Sequence, residues 1–327
     1  MPVPAHLLAN RADLEAVSRS RAAGVYYGDH RLLCRILGDY LAFVDTRDLM
    51  LGPRLVLDGF WESWVTLAIA RYLRPGMRCI DVGANYGYYT ILMSGACGPE
   101  GRVVACEPNP ILAEMYLPQN LALNGFYHGV EICPKVVGNL DDQAVNFVLH
   151  EGDFATSSLE RWAYAHRSGT VETPAITLDR LCADWPRLDL VKIDAEGAEA
   201  LVWDGMQKIL MRFPHAAVVM ELHLQRDPAQ TVEFLSCDPA INHHNVHERN
   251  QHILNRKRRL PSKRVRSTAF PSSTSRCWND SSRSWPTFDR CFTERTKPFA
   301  SAPTSEVFWG RKSARMWSPS RRSRHVR

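Results

Sequence analysis

The chain has 327 residues, 45% of them hydrophobic, enough for one large domain or two modest ones with a sizeable buried core. Its net charge of +5 hides an asymmetry: residues 241–327 carry 20 Lys or Arg against 5 Asp or Glu, a net of +15, which leaves −10 for residues 1–240. No apolar run approaches the ~18–20 residues of a membrane-spanning helix, the mixed N-terminal text does not read as a signal peptide, and none of the nine cysteines forms a CxxC pair, so a cytoplasmic protein without a metal site is expected.

In chain order, residues 1–24 read as a polar, partly helical lead-in. Residues 32–46, LLCRILGDYLAFVDT, hold two apolar runs around Gly38-Asp39 and predict a β-hairpin. Residues 57–72 carry apolar side chains at helical spacing and predict a helix, ended by Arg74-Pro75-Gly76. From Met77 strand-like and helix-like segments alternate. Strands are expected at 78–82, 102–106, 130–137, 144–149, 173–176, 188–193 and 216–222. Helices are expected at 86–96, 111–123, 198–211 and 229–235. This rhythm predicts an α/β fold, a mostly parallel doubly wound sheet with helices on both faces. Three regions follow: a lead-in with hairpin and helix (1–76), a catalytic domain (77–236) and a basic Ser/Arg-rich tail (237–327).

CIDVGANYGYYT, residues 79–90, is the sharpest signal. An apolar strand ends in Asp81, and Gly83 and Gly87 flank a tight turn into a helix, where glycine admits unusual dihedrals and close approach to the backbone. In open parallel sheets ligands sit beyond the carboxyl ends of the strands. Glu107 ends the next strand, 24 residues after Gly83, where a carboxylate can accept both ribose hydroxyls of a nucleoside. Dinucleotide enzymes use the same logic. Against an NAD site stand the GxxxG spacing, in place of GxGxxG, and Asp81, which would repel a pyrophosphate but suits a cationic ligand. Phe60, Trp61 and Trp64 either pack under the sheet or line the mouth of this site.

A third signal is DLVKIDAEGAEALVWDGM, where an apolar strand ends at Asp194 and Glu196 and Gly197 precede a helix. Asp194 and Glu196 fall on the same rim as Asp81 and Glu107, where a carboxylate could take a proton or, in a cluster, hold a divalent metal. Glu199 reads as an acid favouring the helix N-terminus. Glu221 and His223 alternate onto one face of a further strand and either could face the cleft.

Together, CIDVGANYGYYTILMS, the acid of ACEPNP and LDRL…DLVKIDAEGAEALVWDGM resemble the FkbM family of S-adenosylmethionine-dependent methyltransferases, over about residues 32–235. The resemblance implies a class I methyltransferase-like (Rossmann-type) sheet and the cofactor S-adenosyl-L-methionine. It implies O-methylation of a hydroxyl on a sugar, glycolipid or secondary metabolite, hence a small-molecule or lipid-linked glycan acceptor. Asp81, Gly83, Asn85, Gly87 and Glu107, with Asn109 of the same CEPNP segment, would bind the cofactor. Asp194 and Glu196 would lie at the reaction centre, with His223 as a further candidate.

Such sheets usually finish with an antiparallel hairpin at one edge. After Leu235 the text instead turns basic and serine-rich, as in NRKRRLPSKRVRS and SPSRRSRHVR. It reads as a disordered tail or as translation out of frame, which would leave an exposed sheet edge and an impaired enzyme. Nucleic-acid binding would rest on this tail alone, since the body's net −10 repels phosphates.

Overall fold

The computed structural model describes residues 10–150, 152, 157–159 and 169–221, and the backbone of two strands at 241–247 and 251–256. The chain divides into two units after Lys263, and every described residue belongs to the first.

Helix α1 (Arg11–Arg21) opens the described chain, its first turn capped by the Asn10 side chain, which accepts from the Asp13 N–H at 2.9 Å. Strands β1 (Gly24–Gly28), β2 (Arg31–Ile36) and β3 (Tyr40–Asp45) form an antiparallel meander. The expected hairpin is β2–β3, with Ile36 opposite Tyr40. Its turn passes through Leu37 and Gly38, both at positive φ. β1 was not expected, because its first four residues are exposed and carry no buried alternation. The single helix expected at 57–72 is two, α2 (Leu51–Asp58) and α3 (Ser63–Tyr72). Gly59, at φ 73°, breaks them, and a Cβ there would stand 2.8 Å from the Ser18 carbonyl oxygen. Ile36, Leu55 and Ile69 share one core cluster with Ile91, Met93 and Leu117, so the N-terminal segment is built into the main fold.

The central sheet takes β4 (Arg78–Val82), β5 (Arg102–Cys106) and β6 (Val130–Cys133), which run parallel. Helix α4 (Tyr88–Cys97) links the first two. The helix expected at 111–123 begins as a π turn, Leu112–Tyr116, and becomes α5 at Leu117–Leu123. Pro118 has no N–H to return to the preceding turn, and the Leu117 N–H reaches back five residues to Leu112.

The strand expected at 130–137 is also split. Pro134 interrupts it, and β7 (Val136–Val137) leaves for a second, four-stranded sheet with β8 (Ala144–Leu149), β9 (Ser158–Leu159) and β10 (Gly169–Ile176). After α6 (Leu178–Leu181) the chain returns to the central sheet as β11 (Leu190–Ile193), parallel to β4. The helix expected at 198–211 is α7 (Glu199–Asp204) and α8 (Gln207–Arg212), parted at Gly205-Met206. Strand β12 (Ala217–Glu221) pairs parallel with β11.

Two further strands, β13 (Ile241–His247) and β14 (Gln251–Arg256), form an antiparallel pair on β12. They lie inside the stretch read as a tail, and the edge expected to be bare is covered. An edge pair is held by backbone hydrogen bonds to its neighbour, so the polar text INHHNVH shows little apolar alternation. The rest of that tail, the helix expected at 229–235 and His223 lie outside the described residues.

The sheet order is β13-β14-β12-β11-β4-β5-β6. The chain runs outward from β4 through β5 to β6, then crosses to β11 on the other side. The gap between β4 and β11 is therefore the topological switch point, where the carboxyl ends of the strands open a crevice. One face of the sheet buries Cys79, Val103 and Leu190 against α4 and the N-terminal elements. The other buries Ile80, Val104 and Val191 with residues that include Val202, Met206 and Ile209.

Candidate active site

A cavity of about 210 Å³ opens at this switch point. Its walls come from the loop after β4, the end of β5, the acidic segment after β11, and the second sheet through Val136, Phe147 and Leu159.

The loop after β4 is shaped by backbone demands. Gly83 sits at φ 76°, and a Cβ there would stand 1.9 Å from the Asp194 carbonyl oxygen, so only glycine lets the two strand ends meet. The N–H groups of Gly83 and Ala84 both donate to the Cys106 carbonyl at 3.0 Å. Asn85 occupies the left-handed region at φ 51°, and its side chain accepts from the Tyr86 N–H at 2.7 Å. Gly87, at φ 87°, starts α4 against Leu117. Asn120 of α5 holds the loop from behind by donating to the Tyr86 carbonyl at 2.8 Å, and it also donates to the Phe43 carbonyl at 3.0 Å.

Glu107 is buried. Its Oε2 accepts from the Asn85 N–H at 2.8 Å and its Oε1 from the Asn109 N–H at 2.9 Å. Burial nevertheless dominates and pushes its carboxyl up to about 7. Asn109, 1% exposed, accepts from the Ile111 N–H at 3.0 Å, while its Nδ2 is buried without an acceptor among the described residues.

Lys192 lies at the centre of the site. It was not singled out from the sequence, although a lysine inside the apolar run LVKI is itself a signal, because buried lysines require partners. Its Nζ donates to the Gly83 carbonyl at 3.2 Å and to Asp194 Oδ2 at 3.4 Å, and stands 3.6 Å from Asp81 Oδ1. Burial opposes its charge, but Asp194, Asp81, Glu62 and Glu221 together hold its pKa above the usual lysine value. Asp81 is fully buried. Burial raises its carboxyl, against the Lys192 charge and a 2.7 Å hydrogen bond from the Thr90 hydroxyl. Tyr89 and Glu62, also missed, complete the group. The Tyr89 ring lies 5.1 Å from Lys192 Nζ and its hydroxyl donates to Glu62 at 3.1 Å.

Of the residues expected from the sequence, Gly83, Asn85, Glu107, Asp194 and Glu196 meet on the cavity wall, with Glu221 of β12 beside them. Asp81, Gly87 and Asn109 are not among the wall residues and brace it from the strand end and the adjoining turns. Glu196 stands at φ 52°, a strained setting for a non-glycine residue. Glu199 turns back to accept from the Ala195 and Gly197 N–H groups at 3.2 and 3.0 Å, which fits its reading as a helix-start acid. Trp61 lines the cavity, while Phe60 and Trp64 pack on the core. Among the described residues no three His, Cys, Asp or Glu side chains are grouped to hold a metal, and no helix is long and apolar enough to cross a membrane.

Comparison with known proteins gives one family match and several partial likenesses. The model of the methyltransferase FkbM domain matches residues 81–257, more than half of the chain. A protein-L-isoaspartate O-methyltransferase of Aeropyrum pernix is 42% identical over 66 residues, 20% of this chain and 24% of that protein. One of Triticum aestivum is 49% identical over 41 residues, 12% of this chain and 18% of that protein. The chain thus spans a quarter or less of the length of these curated relatives. Among solved structures, methyltransferase FkbM from Methylobacillus flagellatus KT is 15% identical with a TM-score of 0.37, over 59% of this chain and 54% of that one. Cofactor-bound Rv0187 from MTB is 20% identical with a TM-score of 0.36, over 59% and 77%.

Proposed function

Because this chain belongs to the FkbM methyltransferase domain family, we propose that it is an S-adenosylmethionine-dependent O-methyltransferase. The acceptor in this reading is a hydroxyl of a sugar, a glycolipid or a secondary metabolite, reached in the cytoplasm. The observation that carries the proposal is the convergence of Gly83, Glu107 and Asp194 on one cavity at the switch point of the sheet.

The residues present fit such a cofactor. On the cavity wall the five acids Glu62, Glu107, Asp194, Glu196 and Glu221 outnumber the two lysines Lys135 and Lys192, which favours a cationic ligand and disfavours the pyrophosphate of a dinucleotide. Of the residues on the cavity wall, Asp194 has its Oδ1 buried without a donor among the described residues, a costly arrangement for a carboxylate oxygen. In this reading Asp81, Gly83, Asn85, Gly87, Glu107 and Asn109 form the cofactor side. S-adenosylmethionine, when bound, supplies an electrophilic methyl group on a sulfonium. The chain's own task is to bring an alcohol up to that methyl and accept its proton as the oxygen attacks. Asp194 is assigned this role, because it stands on the cavity wall at the end of β11, with Glu196 beside it.

Calorimetric titration with S-adenosylhomocysteine is expected to show one site. Asp194→Asn is expected to keep that affinity within about threefold while lowering methyl transfer to hydroxylated acceptors at least about a hundredfold, the scale of general-base catalysis. Binding of NADH without binding of S-adenosylhomocysteine would replace this reading with an oxidoreductase.

A further inference from the structure

A lysine in the middle of a buried parallel strand needs a reason. Lys192 is 5% exposed and its three neighbours in β11 are buried apolar residues. Its register partner on β4 is Asp81. Strand alternation places Asp194, two residues further on, on the same face. Two neighbouring strands thus deliver one cation and two carboxylates to a single point. Asp81 alone would account for a neutralising lysine. The remaining contacts go further, because Nζ also donates to the Gly83 carbonyl and to Asp194 Oδ2.

We propose that Lys192 is a positioning residue: it grips Asp194 by Oδ2 and the glycine turn by the Gly83 carbonyl, so that the Asp194 carboxylate keeps one fixed orientation at the cavity wall beside the reacting alcohol. The words "reacting alcohol" rest on the function proposed above; the grip on Asp194 does not. The ammonium cannot itself take the proton, since the surrounding carboxylates hold it charged. The side chain has little freedom. The Tyr89 ring closes the α4 side, Asp81 the β4 side, and the Glu62 and Glu221 charges act on it from the α3 and β12 sides. One cation therefore couples the turn expected to carry the cofactor to the carboxylate expected to act on the acceptor.

The test reads the carboxylate directly. In protein labelled with ¹³C at the aspartate carboxyl carbons, the Asp194 resonance is assigned by its loss in Asp194→Asn and its chemical shift is read at one fixed pH. Lys192→Met is expected to displace that resonance, because the carboxylate loses the ammonium hydrogen bond to Oδ2. Lys192→Arg, which keeps the charge, is expected to stay near the wild type. An Asp194 resonance unmoved by Lys192→Met overturns the proposal. Should Lys192→Met not fold, the ¹⁵Nζ resonance of Lys192 is compared between wild type and Asp194→Asn. A displaced signal upholds the grip and an unmoved one overturns it. Titration of the wild type with S-adenosylhomocysteine runs alongside. Absent binding with a displaced Asp194 resonance in Lys192→Met defeats the cofactor reading and leaves the grip standing, whereas binding with an unmoved resonance does the reverse.

Discussion

Glu107 carries the site's most testable titration. Its folded-state pKa stands at about 7, raised by burial, so the folded protein holds it mainly protonated only below that pH. A raised pKa contributes stability that is present below the ordinary glutamate range and is lost as pH rises through about 7. Glu107→Gln removes this dependence. Between about pH 5.5 and pH 8.5 the unfolding free energy of the variant should move in its favour, relative to wild type, by about 2 kcal/mol. Urea titrations at the two pH values measure it, and parallel pH curves would show that Glu107 does not titrate in this window. In the proposed function the ribose hydroxyls would donate to the ionised Glu107 carboxylate, so S-adenosylhomocysteine should bind about tenfold tighter at pH 8 than at pH 6, with Glu107→Gln flat over the same range.

At the scale of elements, the two tightest glycines separate function from packing. Gly83 meets the Asp194 backbone and Gly205 meets the backbone of Gly138, each with only 1.9 Å to the carbonyl oxygen for an added Cβ. Gly205 lies in the break between α7 and α8 and is not part of the cavity wall, whereas Gly83 is. Gly205→Ala is expected to cost about 1–3 kcal/mol in urea unfolding and leave S-adenosylhomocysteine affinity within about twofold. Gly83→Ala combines the clash with a positive φ and should lose binding as well as stability. Calorimetry on both variants decides. Retained affinity in Gly83→Ala would remove the turn from the proposed site. The segmented helices follow the same logic, since Gly59, Pro118 and Gly205 each divide a stretch whose apolar spacing is continuous.

At the scale of the whole molecule, β13 and β14 decide whether the sheet is closed. Val218 to Glu221 of β12 pair with β14, so a chain shortened to end at Glu221 presents that strand as an open edge. Such edges template pairing with other chains. The shortened protein is expected to elute as large aggregates in size exclusion, while a chain ending at Lys263, the limit of the first unit, elutes at its own size. Equal behaviour of the two would mean that the edge pair contributes nothing to solubility. The family match to residue 257 covers both strands, in agreement with their pairing.

Much of this protein is legible in local text. Alternating strand and helix patterns, the glycine turn after Asp81, the acid at 107 and the KIDAEGAE segment suffice for the α/β class, the family and the rim on which the site lies, because each is set by spacing along a few residues. Only tertiary structure could sort these residues into wall and support, since Gly83 and Asp194 are 111 positions apart and their contact follows from β4 and β11 being neighbours. It alone brings Lys192 between two aspartates and under Tyr89, a partnership of three elements that no local pattern displays. It alone also places the polar edge strands, because the backbone pairing that holds them is indifferent to side-chain pattern and depends on the neighbour that the fold supplies.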